Sequence, residues 1–132
     1  MTRAGRLAPA LVLAVLGGMA AIAYASELPP SAPGVTDYTA HCASCHGAQL
    51  QGGVHALPLS GPVFEQNWAG KRARMLYSRI ISTMPQNDPG ALSPPDAFAI
   101  ALYVFSSNGI GWSGHTPAEP NDLNTLTIPG SP

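Results

Sequence analysis

The only two cysteines of the chain, Cys42 and Cys45, are separated by Ala43 and Ser44 and followed at once by His46. That spacing limits what the pair does. A disulfide across so short a loop removes little entropy from the unfolded chain and adds little stability. A redox dithiol of this spacing belongs in a thioredoxin-like βαβ unit, and no segment of the chain reads as a convincing strand. A structural zinc usually needs four N or S ligands, and only His41, His55 and His115 remain to complete the set.

Cys42-Ala43-Ser44-Cys45-His46 is instead the C-x-x-C-H pattern of covalent haem attachment. Two thiols three positions apart, near a helix end, each reach one vinyl group of a single porphyrin. His46 then falls under the ring centre, where its Nε2 binds iron. The thioethers keep the group attached even when iron ligands exchange. The expected cofactor is one covalent haem c with its iron, held by Cys42 and Cys45 and ligated by His46.

The first 25 residues differ in kind from the rest. Arg3 and Arg6 give a positive start, Leu7 to Tyr24 carries no charge, and Ala23-Tyr24-Ala25 is a small-x-small cleavage site. This reads as a cleaved signal peptide over 1–25 and places the protein in the periplasm. The alternative is a retained anchor, but the apolar run is marginal in length and broken by Pro9, Gly17 and Gly18. No membrane span is expected in the mature form. The full chain has a formal net charge of -1. Removing Arg3 and Arg6 leaves 4 basic against 7 acidic residues, a net of -3. Neither balance favours nucleic acid or an anionic membrane.

The chain after the leader suits one small domain with long loops, because Gly and Pro number 14 each. Residues 26–33, with Pro29, Pro30 and Pro33, read as an extended lead-in. Thr36 or Asp37 is placed to cap a short helix through Tyr38, Ala40 and His41. Residues 46–67 show no sustained period and read as a loop wrapping something. A second helix is expected from about Gly70 to Ser82, with Ala73, Leu76, Tyr77, Ile80 and Ile81 at helical spacings. Pro85 stops it and biases Met84 away from helical geometry. The third has a clear start, Ser93-Pro94-Pro95-Asp96, and runs from Ala97 to Ser107, where Asn108-Gly109 ends it as a left-handed cap. Residues 110–132 hold four prolines and read as a tail, laid on the surface or disordered. The fold class is all-α. Three short helices bury a limited core, roughly two-thirds of the unfolded surface for a domain of this size. A large apolar cofactor would supply what is missing.

The sixth iron ligand is a separate question. Met1 and Met19 leave with the leader, and Met75 lies mid-helix, where packing is the ordinary role. Met84, in Thr83-Met84-Pro85, is the candidate ligand; the alternative makes it a core residue and leaves the site open. An iron-binding histidine normally donates its other ring N–H to a carbonyl. Pro58 is the first choice for that carbonyl and Gly61 the second. Trp68 and Tyr77 are candidates for haem propionates, or equally core aromatics with a satisfied polar tip.

These residues together resemble a class I c-type cytochrome over about residues 34–109. The resemblance rests on Tyr38 to Gly47 (Y-T-A-H-C-A-S-C-H-G), Leu76-Tyr77-x-x-Ile80, Thr83-Met84-Pro85, Pro89-Gly90-x-Leu92-Ser93 and the helix ending Asn108-Gly109. It implies a cytochrome c-like fold of three main helices enclosing the haem, with His46 and Met84 as axial ligands and one haem edge exposed to redox partners. The later segments are similar to small cytochrome domains that serve periplasmic quinoprotein dehydrogenases. That implies a one-electron carrier, not an enzyme, taking electrons from a dehydrogenase and passing them towards a terminal oxidase or another cytochrome. Two other roles stay open. One is a permanent subunit of a dehydrogenase complex, with Ile110, Trp112 and Leu126 at an interface. The other is a catalytic or gas-binding haem, which needs an open iron position and a polar distal residue.

Overall fold

Five α-helices and one 3₁₀ turn make up the regular structure of the computed structural model, which describes residues 33–112 and 116–130. The expected leader, most of the lead-in and His115 lie outside the described residues. The helices are α1 (Val35–His41), α2 (Ala43–His46), α3 (Gly61–Trp68), α4 (Ala73–Thr83) and α5 (Pro94–Ser107). Among the described residues the sole β feature is an isolated antiparallel bridge between Arg72 and Thr127. No helix among them is long and apolar enough to cross a membrane.

Helix α1 is capped two residues before the nearer of the expected caps. Its N-cap is Gly34, in the left-handed region at φ 83°, and no side chain caps it. The reason is packing. A Cβ at Gly34 would run into the backbone carbonyl of Ala99 in α5, so only glycine lets the two helices cross this closely. Tyr38 is fully buried at the same crossing, its ring 5.1 Å from that of Tyr103.

The stretch read as continuous loop contains a helix, α3. Ser60 is extended, Pro62 sits in the first turn, and Phe64 and Trp68, four residues apart, stack with ring centroids 6.4 Å apart. Eight residues are too few to show a period against so many small neighbours.

Helix α4 begins at Ala73, later than expected, because the residues before it pair with the tail. Gly70 N–H donates to the Ile128 carbonyl, Ile128 N–H to that of Lys71, and Ala73 N–H to that of Leu126, each at 2.9 Å. Met84 closes α4 in extended geometry, as Pro85 requires. Leu76, Tyr77 and Ile80 turn inward, while Met75 on the opposite face is exposed.

Helix α5 has the expected ends. Ser93 Oγ accepts from Asp96 N–H at 3.3 Å and donates to the Asp96 carboxylate at 2.7 Å. At the far end Gly109 takes the left-handed conformation, its N–H donating to Ser106, while Ile110 N–H donates to Phe105, both at 3.0 Å. That is a Schellman motif, with buried Ile110 as its apolar contact.

Residues 116–130 are packed, neither loose nor merely laid on the surface. The 3₁₀ turn Pro120–Asn124 puts Leu123 into the core at 0% exposure, and Ile128 follows at 1%. Arg72 and Arg74 donate to the carbonyls of Asn124 and Pro120, both at 3.2 Å.

Candidate functional site

The attachment motif sits where α1 breaks into α2. Cys42 is the C-cap of the first helix and the N-cap of the second, at φ −124°, so the chain turns between the two thiols. The two cysteines are unlinked; Cys42 is half-buried and Cys45 exposed. Burial, and secondarily the neighbouring Cys45, push the Cys42 thiol up to about 11, so it is protonated at neutral pH.

His46 ends α2, half-buried, with Nδ1 2.9 Å from the carbonyl oxygen of Leu57. With the proton on Nδ1 this is a donated hydrogen bond, and Nε2 is left to bind iron. The acceptor is Leu57, not Pro58 or Gly61. The physical reason is loop register. Leu59 N–H is fixed on the Leu50 carbonyl at 2.8 Å and Ser60 Oγ donates to the same oxygen at 3.3 Å, which brings the carbonyl two residues upstream of Leu59 round to the imidazole. Pro58 instead lies against Gly52, where a Cβ would strike the proline ring.

The loop is held against the motif by its main chain. Gly52 N–H donates to the His46 carbonyl at 2.7 Å, and a Cβ on Gly53 would meet the Cys45 carbonyl. Leu50 sits at φ 58°, a left-handed conformation costing a non-glycine residue roughly 1–2 kcal/mol. Its side chain is buried, and its amide donates to Gly47, so packing and hydrogen bonds offset the strain. Tyr38 hydroxyl donates to the Gly47 carbonyl at 2.6 Å from the core side. Burial above all, with Cys42 and Tyr103 adding to it, raises the Tyr38 phenol to about 12.

Met84 is half-buried at the C-terminus of α4, on an element separate from the cysteine motif. Trp68 is half-buried beside Phe64, with the Lys71 ammonium 5.3 Å from its ring centre. Tyr77 is buried and meets Phe98 edge-on at 6.3 Å. His41 and His55 are exposed. No group of three or more His, Cys, Asp and Glu is gathered for a metal among the described residues. Sequence reasoning missed Leu57, because its contribution is a backbone carbonyl, and Asn108, whose side chain bonds the loop 49 and 47 positions away.

The chemistry of this donor set fits covalent haem. Two unlinked thiols, one half-buried and one exposed, flank the start of α2, and the imidazole after them has one nitrogen committed and the other available. The loop beside it exposes apolar Val54 and Leu57, at 96% and 64%.

Residues 29–104 match the family model described as cytochrome C oxidase, cbb3-type, subunit III. The fold is similar to a chain in the crystal structure of the sulfane dehydrogenase SoxCD from Paracoccus pantotrophus, at a TM-score of 0.57 and 20% identity. That match covers 74% of this chain and 52% of the other, so this chain spans about half the length of its structural neighbour. No curated protein matches by sequence. With more than half its length in the family match and the helical fold to go with it, the chain belongs to the cytochrome c family of the cbb3-type subunit III description, whose cofactor is covalent haem c with its iron.

Proposed function

We propose that this protein is a periplasmic one-electron carrier in which Cys42 and Cys45 form the thioethers and His46 and Met84 are the axial iron ligands. The observation that carries the reading is the His46 Nδ1–Leu57 contact of 2.9 Å, made by the histidine of the C-x-x-C-H turn. That contact orients the ring and commits the nitrogen not needed for iron. The haem supplies the one-electron redox centre.

The chain's own residues supply the rest. Leu57 holds the imidazole, and Pro58 shapes the loop that presents that carbonyl. Met84 offers a soft thioether, which raises the potential relative to a second imidazole. The buried faces of α4 and α5 exclude water. The expected partners are a dehydrogenase as donor and a terminal oxidase or another cytochrome as acceptor, met by weak, transient docking. The resemblance to dehydrogenase-serving domains supports the donor, and the oxidase-subunit family supports the acceptor side. A second reading, a tightly held subunit, draws support from the structural neighbour, which is part of a dehydrogenase.

The test is the visible spectrum of the exported protein, oxidised and then dithionite-reduced, after acid–acetone extraction. Retained haem with a weak far-red methionine–iron band supports the reading, and Met84→Ala erases that band alone. Retained haem that is high-spin and lacks the band removes Met84 as ligand and favours a catalytic or gas-binding site. Loss of all haem on extraction sinks the thioether assignment. Size-exclusion of the protein as exported separates free carrier from subunit.

A further inference from the structure

We infer that Asn108 is a positioning residue for the axial histidine, acting from the end of α5 through the loop that carries the Leu57 carbonyl; this rests on His46 being the iron ligand. Asn108 uses its whole amide. Nδ2 donates to the Val104 carbonyl at 2.8 Å and to the Leu59 carbonyl at 2.9 Å, and Oδ1 accepts from Gly61 N–H at 3.1 Å. The first bond ties the amide to α5 and the other two grip both sides of Ser60.

Helix capping does not explain an asparagine here. Asn108 has φ −97°, an ordinary value, and Gly109 takes the left-handed position that the Schellman motif needs. What asks for an amide is the loop. It must supply a donor and an acceptor at once to backbone groups two residues apart, and few side chains do both.

The grip is transmitted over a short path. Asn108 fixes the Leu59 carbonyl, the Leu59 amide is fixed on Leu50, and Leu57 lies two residues upstream with its carbonyl on His46 Nδ1. The helix behind the grip is firm, since its end is locked by Ile110 and its core face is fully buried. A hydrogen bond on Nδ1 makes the imidazole a stronger donor and favours ferric iron. Loosening the loop weakens that bond and favours the ferrous form.

The experiment uses the haem-loaded protein and four chains: the natural one, Asn108→Ala, Asn108→Asp and Leu123→Ala. Asn108→Asp keeps the acceptor for Gly61 but loses both donors, and it carries the test if the alanine variant does not fold. Leu123→Ala destabilises the core at the 3₁₀ turn without contacting the loop. The readouts are the midpoint potential and the exchange rate of the His46 Nδ1 proton by NMR. We expect Asn108→Ala to be several-fold more reduced at the natural midpoint, and both Asn108 variants to exchange that proton faster. Leu123→Ala lowers only the unfolding midpoint. Asn108 variants that lose stability yet keep potential and exchange rate overturn the inference. A natural protein whose spectra and NMR show no histidine bound to the iron defeats the underlying reading, and does so before any variant is measured.

Discussion

Tyr38 joins the packing of the fold to the haem-side loop, because one hydroxyl reaches from the core to the Gly47 carbonyl. Replacing it by phenylalanine removes that bond but leaves Gly47 a second donor, the Leu50 amide at 3.1 Å. Tyr38→Phe should therefore cost only about 1 kcal/mol in denaturant unfolding. Its pH dependence is more telling. The phenol is raised from 10.0 to about 12 in the fold, so the folded state holds a proton that the unfolded state releases first. That contribution is intact below pH 10.0 and is lost as pH rises to about 12. Unfolding titrations of the two proteins should converge across that window; parallel curves would remove the phenol from the account. At this scale the sequence was unequally legible. The C-x-x-C-H spacing marks its residues because the chemistry lies in side chains. The acceptor for His46 does not, since any residue has a carbonyl and only loop register selects Leu57 over Pro58.

Among the elements, the crossing of α1 over α5 depends on position 34 having no side chain. Gly34→Ala places a methyl against the Ala99 carbonyl and forces alanine to φ 83°. The expected loss of stability is well above about 1 kcal/mol, seen as a lowered denaturant midpoint. A glycine in an exposed, uncrowded cap would change far less. Helices with chemical punctuation were legible: α5 between Ser93 and Gly109, and the end of α4 at Pro85. Two starts were not. The N-cap of α1 answers to a helix 65 residues away rather than to Thr36 or Asp37, and α4 starts only where its pairing with residues 126–128 releases it. Helix α3 was hidden by its brevity.

For the molecule as a whole, the all-α class followed from the absence of strand patterns. The packing of the tail was not legible, because Leu123, Leu126 and Ile128 follow no helical period and stand among prolines. Their placement follows from the residues at and just before the start of α4, where the backbone of Gly70, Lys71 and Ala73 pairs with Leu126 and Ile128. Leu123→Ala, at a position with 0% exposure, should cost about 2–5 kcal/mol by equilibrium unfolding. A near-neutral result would return the tail to the surface. The clasp of α1 on α5 also governs how the chain divides. The turn 86–91 is exposed throughout, so a peptide bond there is open to cleavage. One piece keeps the cysteines and His46, and the other keeps Asn108 and the tail. Each supplies a surface that the other buries, through Gly34 on Ala99 and the 3₁₀ turn against α4. A molecule nicked there should hold together as a noncovalent heterodimer that keeps its colour, which size-exclusion after limited proteolysis would check.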